Sequence, residues 1–285
     1  MLNNVCLPSW LDQLIFTDLK ANYCRSNSDM TVIDWDKKDV LNYLGTYFPR
    51  SYTEAYCLFD SMCEDYQMYL KDCCHCHRCF FDLKEIHIPD WFFKNEISVF
   101  DFGCGTGGEI IGMLDAICQC MPHLKKVSIT AFDGNYHALR LFEKIIKNYS
   151  PKAGIDISYK VIPFEIDDFY DMTVLDSIIS DEFDIIMTFK AICEFVTKDR
   201  FEQENAYTHF AKSFLPKLTN DGIMVITDVT TYNNVSQEWL PKMMDRGLNE
   251  AGCNIIGKNE GYNQAFKVSH SRCRNDVSKI AWRII

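Results

Sequence analysis

The chain has 285 residues, 47% of them hydrophobic, enough apolar material for one core of about 200 residues plus an extension. Its formal charge is −11 and its pI about 5.1, which repels phosphate backbones and disfavours broad nucleic-acid binding while leaving a local basic patch open. No basic stretch followed by an apolar core opens the chain, and no run of about 18 apolar residues occurs, so neither a signal peptide nor a membrane span is expected.

Fourteen scattered cysteines without a secretion signal point to reduced thiols in a cytoplasm. The first 95 residues have helical spacing at 10–21, 36–48 and 52–70, with no convincing strand. The third of these stretches carries Tyr52, Tyr56, Phe59, Tyr66 and Tyr69. Such a stripe serves packing or closes a pocket, and residues 1–95 are read as a helical cap ahead of a second domain, 96–285. Within the cap, Cys73, Cys76 and Cys79 stand at the spacing of a zinc knuckle, with Cys63 or His87 as further ligands. A polar turn competes with that reading, because no second Cys-x-x-Cys pair follows.

From residue 97 onward strand and helix patterns alternate, as a parallel α/β sheet requires. Strands are predicted at 97–102, 127–132, 157–162, 183–189 and 223–227. Helices are predicted at 109–121, 135–149, 197–218 (stopping near Asn220-Asp221-Gly222) and 237–251. Late strand candidates at 253–256, 266–269 and 280–284 would supply a terminal antiparallel hairpin, giving a mostly parallel Rossmann-like sheet of seven strands.

The most informative stretch closes the first of these strands: Asp101-Phe102-Gly103-Cys104-Gly105-Thr106-Gly107-Gly108. Glycines at every second position allow a sharp turn and a close approach of a ligand to the main chain. The helix that follows opens with free N–H groups and a partial positive field. Read loosely, Gly103-x-Gly105-x-x-Gly108 also fits a dinucleotide fingerprint. Asp101 decides against it, because a carboxylate beside the loop repels a pyrophosphate. It suits S-adenosylmethionine (SAM), which has no phosphate and presents an ammonium and a sulfonium. The pattern Asp-x-Gly-x-Gly-x-Gly after an apolar strand resembles motif I of the class I SAM-dependent methyltransferases.

That resemblance implies further cofactor contacts. Beside Asp101, Gly103, Cys104, Gly105 and Gly107, the strand ending at Asp133-Gly134-Asn135 offers a carboxylate for the ribose hydroxyls; a helix N-cap is the competing role for Asp133. After the next strand, Asp167, with Asp168 second, is expected at the adenine amino group, against a plain solvated loop. The strand ending at Phe189-Lys190 faces the transferring methyl. There Phe189 can pack near the adenine or the sulfonium. Glu194 is the candidate catalytic side chain, orienting the acceptor or capping the next helix. The segment is neither Asn/Asp-Pro-Pro-aromatic nor Pro-Cys, so methylation of exocyclic base amines or of cytosine carbon is not expected.

Three short stretches also resemble the mitochondrial small-ribosomal-subunit-associated methyltransferase-like family: residues 43–52, 100–107, and Asp184-Ile185-Ile186 with Glu194-Phe195. That family's cysteine cluster after the fifth strand has no counterpart here. The expected function is methyl transfer to a small molecule or a protein. An RNA methyltransferase working with a partner, or a non-catalytic SAM-binding assembly or sensor module, are the alternatives.

Overall fold

The computed structural model describes residues 4–25, 37–70, 88–196, 204–234 and 236–285. Its strands are β1 (Asn4–Cys6), β2 (Glu96–Phe102), β3 (Lys126–Asp133), β4 (Asp156–Pro163), β5 (Phe183–Phe189), β6 (Leu218–Asp228), β7 (Tyr232–Asn233), β8 (Glu238–Trp239), β9 (Gly257–Lys258), β10 (Gln264–His270) and β11 (Cys273–Ile284). The helices are α1 (Ser9–Gln13), α2 (Lys37–Leu70), α3 (Gly108–Cys120), α4 (Tyr136–Ala153), α5 (Thr173–Ile178), α6 (Ile192–Val196), α7 (Ala206–Phe214) and α8 (Leu240–Glu250).

The main sheet runs β1-β10-β11-β6-β5-β2-β3-β4, with β9 on β11. The pairs β2–β3, β3–β4, β2–β5 and β5–β6 are parallel, and β10–β11 and β11–β6 are antiparallel. This is a mostly parallel Rossmann-like sheet with a terminal antiparallel hairpin, as the strand pattern predicts; β1 and β9 are additions to its seven strands. Each central strand sends alternate side chains to opposite faces. Ile185 and Met187 of β5 join one apolar cluster with α2, α3 and α4, whereas Ile186 joins the other with α7 and α8. β5 is buried at all seven positions, as a strand covered on both faces must be.

Two features of residues 1–95 differ from their sequence pattern. β1 is a strand, paired parallel to β10 through Asn4↔Lys267 and Cys6↔Ser269. The predicted stretches before and after Pro49 form one helix, α2 (Lys37–Leu70), which continues through that proline. α2 also shares its core with the sheet: Leu44, Phe48, Tyr52, Leu58, Phe59 and Met62 lie in the cluster that holds Val99 and Ile129. It packs so tightly on α3 that a Cβ at Gly112 would stand 2.1 Å from the Tyr52 carbonyl oxygen. This explains why α3 is buried on nearly every side and not along one stripe. Arg50 then ties α2 to the terminal hairpin through a two-point pair with Asp276, both contacts 2.9 Å.

The predicted helix at 197–218 also resolves differently. α6 and α7 flank residues 197–203, which lie outside the described part, and β6 already begins at Leu218. Asn220-Asp221-Gly222 therefore lies inside a strand. Its register against β5 shifts between Phe183 and Ile185, so the turn-forming residues mark an irregularity and not an end.

Candidate functional site

The parallel strands β2 to β6 all point their carboxyl ends to one side, and the order reverses between β2 and β5. A cavity of about 390 Å³ opens there, within the range of small-ligand sites. The β2 end and its loop form the floor. Gly103, Gly105 and Gly107 have φ of +75°, +50° and +78°. Gly105 requires glycine twice over: its backbone is left-handed, and a Cβ would meet the Tyr43 hydroxyl at 2.7 Å. The Gly105 N–H donates to Asp133 Oδ2 at 2.7 Å, and the Asn135 N–H donates to Oδ1 at 2.7 Å. One carboxylate thus locks the β2 loop to the β3 end. The helix cap of α4 is Asn135, whose side chain accepts from the Ala138 N–H at 3.0 Å, so capping is not the role of Asp133.

Asp101 is fully buried, and neither of its oxygens has a hydrogen-bond partner among the described residues. Burial pushes its carboxyl well above the usual range, and Glu109 and Asp133 push it further. Burial also pushes Glu109 up to about 8, although its own N–H and the Lys190 charge pull the other way. The Asp133 carboxyl is raised by burial against the opposing pull of its two N–H donors. The cation among these acids is Lys190. Its Nζ donates to Glu54 Oε1 at 3.0 Å and stands 2.8 Å from Oε2, with the Glu54 side chain wholly buried in α2. Lys190 itself has φ +61°, a left-handed backbone for a residue with a Cβ, and its N–H is held by the Thr227 carbonyl at 2.9 Å. Strain of this kind, in a loop at the cavity wall, is over-determined by the surrounding contacts. Among the described residues, Lys190 thus acts on Glu54 and Glu109, while Glu109 and Asp133 act on Asp101.

Of the residues singled out in the sequence, Gly103, Gly105, Asp133, Gly134, Asn135, Phe189, Lys190 and Glu194 line this cavity. Asp101 and Cys104 are buried and outside the lining, and Gly107 caps α3. Asp167 and Asp168 are also outside it: Asp167 is exposed, and Asp168 Oδ1 accepts from the Tyr170 N–H in a local turn. β4 ends at Pro163, so Phe164, Glu165 and Ile166 pass the mouth first, and Glu165 is the acidic side chain delivered there. The cysteines Cys73, Cys76 and Cys79, together with His87, lie outside the described residues. Cys63 is buried in α2 and shares a thiol hydrogen bond with Cys120. No group of three or more metal-ligating side chains occurs among the described residues.

The sequence pattern predicts a helical cap but not which of its residues reach the cavity. Tyr43 and Tyr47 line the cavity from above, with ring centroids 5.0 Å apart. Their spacing of four places them on one helix face, and Glu54 continues that side; this is a signal of a shared face but not of what the face meets. Burial raises the Tyr43 hydroxyl well above its ordinary range, helped by Glu109, Asp133 and Glu194. Val229, Tyr232 and Leu240 close the far wall. No described helix is long and apolar enough to cross a membrane.

No protein-family model matches the chain, and no curated protein does. Solved structures resemble it at a distance. The precorrin-6y C5,15-methyltransferase of Geobacter metallireducens is 12% identical, with TM-score 0.40, over 66% of this chain and 78% of that one. The rRNA methyltransferase aviRa of Streptomyces viridochromogenes is 12% identical, with TM-score 0.39, over 67% and 76%. The [4+2]-cyclase SpnF is 16% identical, with TM-score 0.37, over 57% and 53%. Similarity at this level carries no activity or substrate over to this chain.

Proposed function

We propose that the chain is a SAM-dependent methyltransferase whose cofactor lies across the β2 loop and the β3 end. The observation that carries this reading is the buried Asp101 carboxyl without a hydrogen-bond partner among the described residues, set near Glu109 and Asp133 beside a glycine loop. An unpaired buried carboxylate is costly, and a cationic ligand offsets that cost. The same charges oppose the pyrophosphate of a dinucleotide. Bound SAM would supply a methyl group already activated on a sulfonium.

The residues present fit that cofactor. Asp133 retains lone pairs beyond its two N–H donors and would accept the ribose hydroxyls. Phe132, Phe164 and Ile166 offer apolar surface for the adenine, and Phe189 stands at the wall facing the methyl. The chain's part in the chemistry is to hold the acceptor in line and to exclude water, for which Tyr43 and Tyr47 of α2 form the roof. Glu194 would orient the acceptor. The acceptor favoured by this acidic lining is a small molecule or a protein, and nucleic acid is disfavoured.

Calorimetric titration with SAM, S-adenosylhomocysteine and NAD tests the reading. SAM and S-adenosylhomocysteine are expected to bind and NAD to bind more weakly or not at all. Asp133→Ala should cost about 1.5–3 kcal/mol of cofactor affinity, the range for charge-assisted hydrogen bonds. Tighter binding of NAD would overturn the assignment.

A further inference from the structure

The wall opposite the glycine loop is aromatic and continues outside the cavity. Tyr232, in the lining, packs edge-to-face on Trp239 with ring centroids 5.3 Å apart, and Trp239 packs the same way on Tyr262 at 5.6 Å. The three rings are 41%, 44% and 41% exposed, unusual for large aromatic side chains grouped together. The platform is held in place. Tyr232 and Trp239 face each other across the β7–β8 hairpin, the Leu240 N–H donates to the Thr231 carbonyl at 3.0 Å, and the Tyr262 hydroxyl donates to the Thr230 carbonyl. Such rings present flat surface at little cost in side-chain entropy.

The inner end of the same cavity is acidic. Glu194 lies in the lining close enough to Tyr43 to shift its hydroxyl, Asp133 lines the same cavity, and Glu165 adds a carboxylate at the mouth. Among the described lining residues the cation is Lys190, which is taken up by the buried Glu54. A carboxylate or phosphate acceptor would therefore meet like charge, whereas an ammonium would meet opposite charge and tyrosine faces.

Building on the methyltransferase reading, we propose that the acceptor is a small arylalkylamine. Its nitrogen sits between Glu194 and Tyr43, and its ring rests against Tyr232 and Trp239. The ammonium proton passes to the Glu194 carboxylate and on to water, which frees the nitrogen lone pair. Bound SAM would supply the methyl group, so that a nitrogen–carbon bond would form as the cofactor's carbon–sulfur bond breaks, the electron pair leaving on sulfur.

The test uses the full chain. S-adenosylhomocysteine binding is measured first by calorimetry; its failure removes the cofactor reading and this proposal with it. With that product saturating, phenethylamine and the isosteric anion 3-phenylpropionate are titrated. Phenethylamine is expected to bind at least tenfold more tightly, with quenching of tryptophan fluorescence that Trp239→Ala abolishes. Glu194→Gln should erase the preference while S-adenosylhomocysteine still binds. If the anion binds as well as the amine, or the preference survives Glu194→Gln, the amine assignment falls and the cofactor reading stands. Methylation of a lysine peptide or an oligonucleotide in preference to the amine would overturn it equally.

Discussion

Replacing Asp101 by asparagine separates a ligand-binding carboxylate from a structural one, because the two roles predict opposite changes in stability. The side chain is fully buried and its oxygens have no hydrogen-bond partner among the described residues. The unfolded chain releases the proton near 3.8, whereas the folded chain holds the carboxyl well above that. The raised folded value means that its contribution is fully present below the unfolded value and is lost as pH rises. At pH 7, retaining the proton costs up to about 4 kcal/mol, from roughly three pH units at about 1.36 kcal/mol each. Asparagine removes that cost but buries an amide, which returns about 1–3 kcal/mol. Asp101→Asn is therefore expected to stabilise the ligand-free chain at pH 7 to 8, by at most about 3 kcal/mol, and little at pH 5. At roughly 2–4 °C per kcal/mol for a chain of this size or somewhat smaller, the melting temperature should rise by several degrees. Over the same range, affinity for S-adenosylhomocysteine should fall about tenfold to a hundredfold, through loss of a charge-assisted contact to the ammonium. Differential scanning calorimetry at the two pH values and isothermal titration at pH 7.5 provide both readouts. A variant destabilised at pH 8, or one that keeps full affinity, would refute the assignment of Asp101 as a counter-charge for the ligand.

Two further predictions rest on neighbouring features. Gly112→Ala forces a methyl to 2.1 Å from the Tyr52 carbonyl oxygen, so α2 and α3 must separate; a loss of about 2 kcal/mol is expected despite the gain in helix propensity, and an unchanged melting temperature would contradict the packing. Glu109, pushed up to about 8, should release a proton when a cationic ligand binds, so affinity rises from pH 6 to 8 and levels above. Titrations in two buffers of different ionisation heat measure that proton directly, and proton uptake would show the sign to be wrong. The same raised value makes the stability contributed by Glu109 greatest below about 4.5 and lost as pH rises through 8.

Local pattern alone determined the α/β core. The apolar runs at 97–102 and 183–189 fall within β2 and β5, and the alternation with helices dictates a parallel sheet, because parallel neighbours need a crossover between them. The glycine loop was legible for the same reason: its chemistry is contiguous, and three glycines around a tight turn have a local cause. What the tertiary structure decided are relations between distant segments. Pro49 reads as a helix end, yet packing of Phe48 and Tyr52 on α3 carries α2 straight through it. Leu218–Asn220 read as the close of a helix, and pairing with Phe183 made them the start of β6. Asp167 was the choice nearest the expected register, but the path beyond Pro163 brings Glu165 to the cavity instead. Nor does any local signal announce that Tyr43 and Glu54 reach Gly105 and Lys190, each more than 60 residues away in sequence. A side chain's hydrogen-bonding capacity is written in its own residue; whether a carboxylate such as Asp101 or Glu109 stays charged depends on what is packed around it, and that exists only in the folded chain.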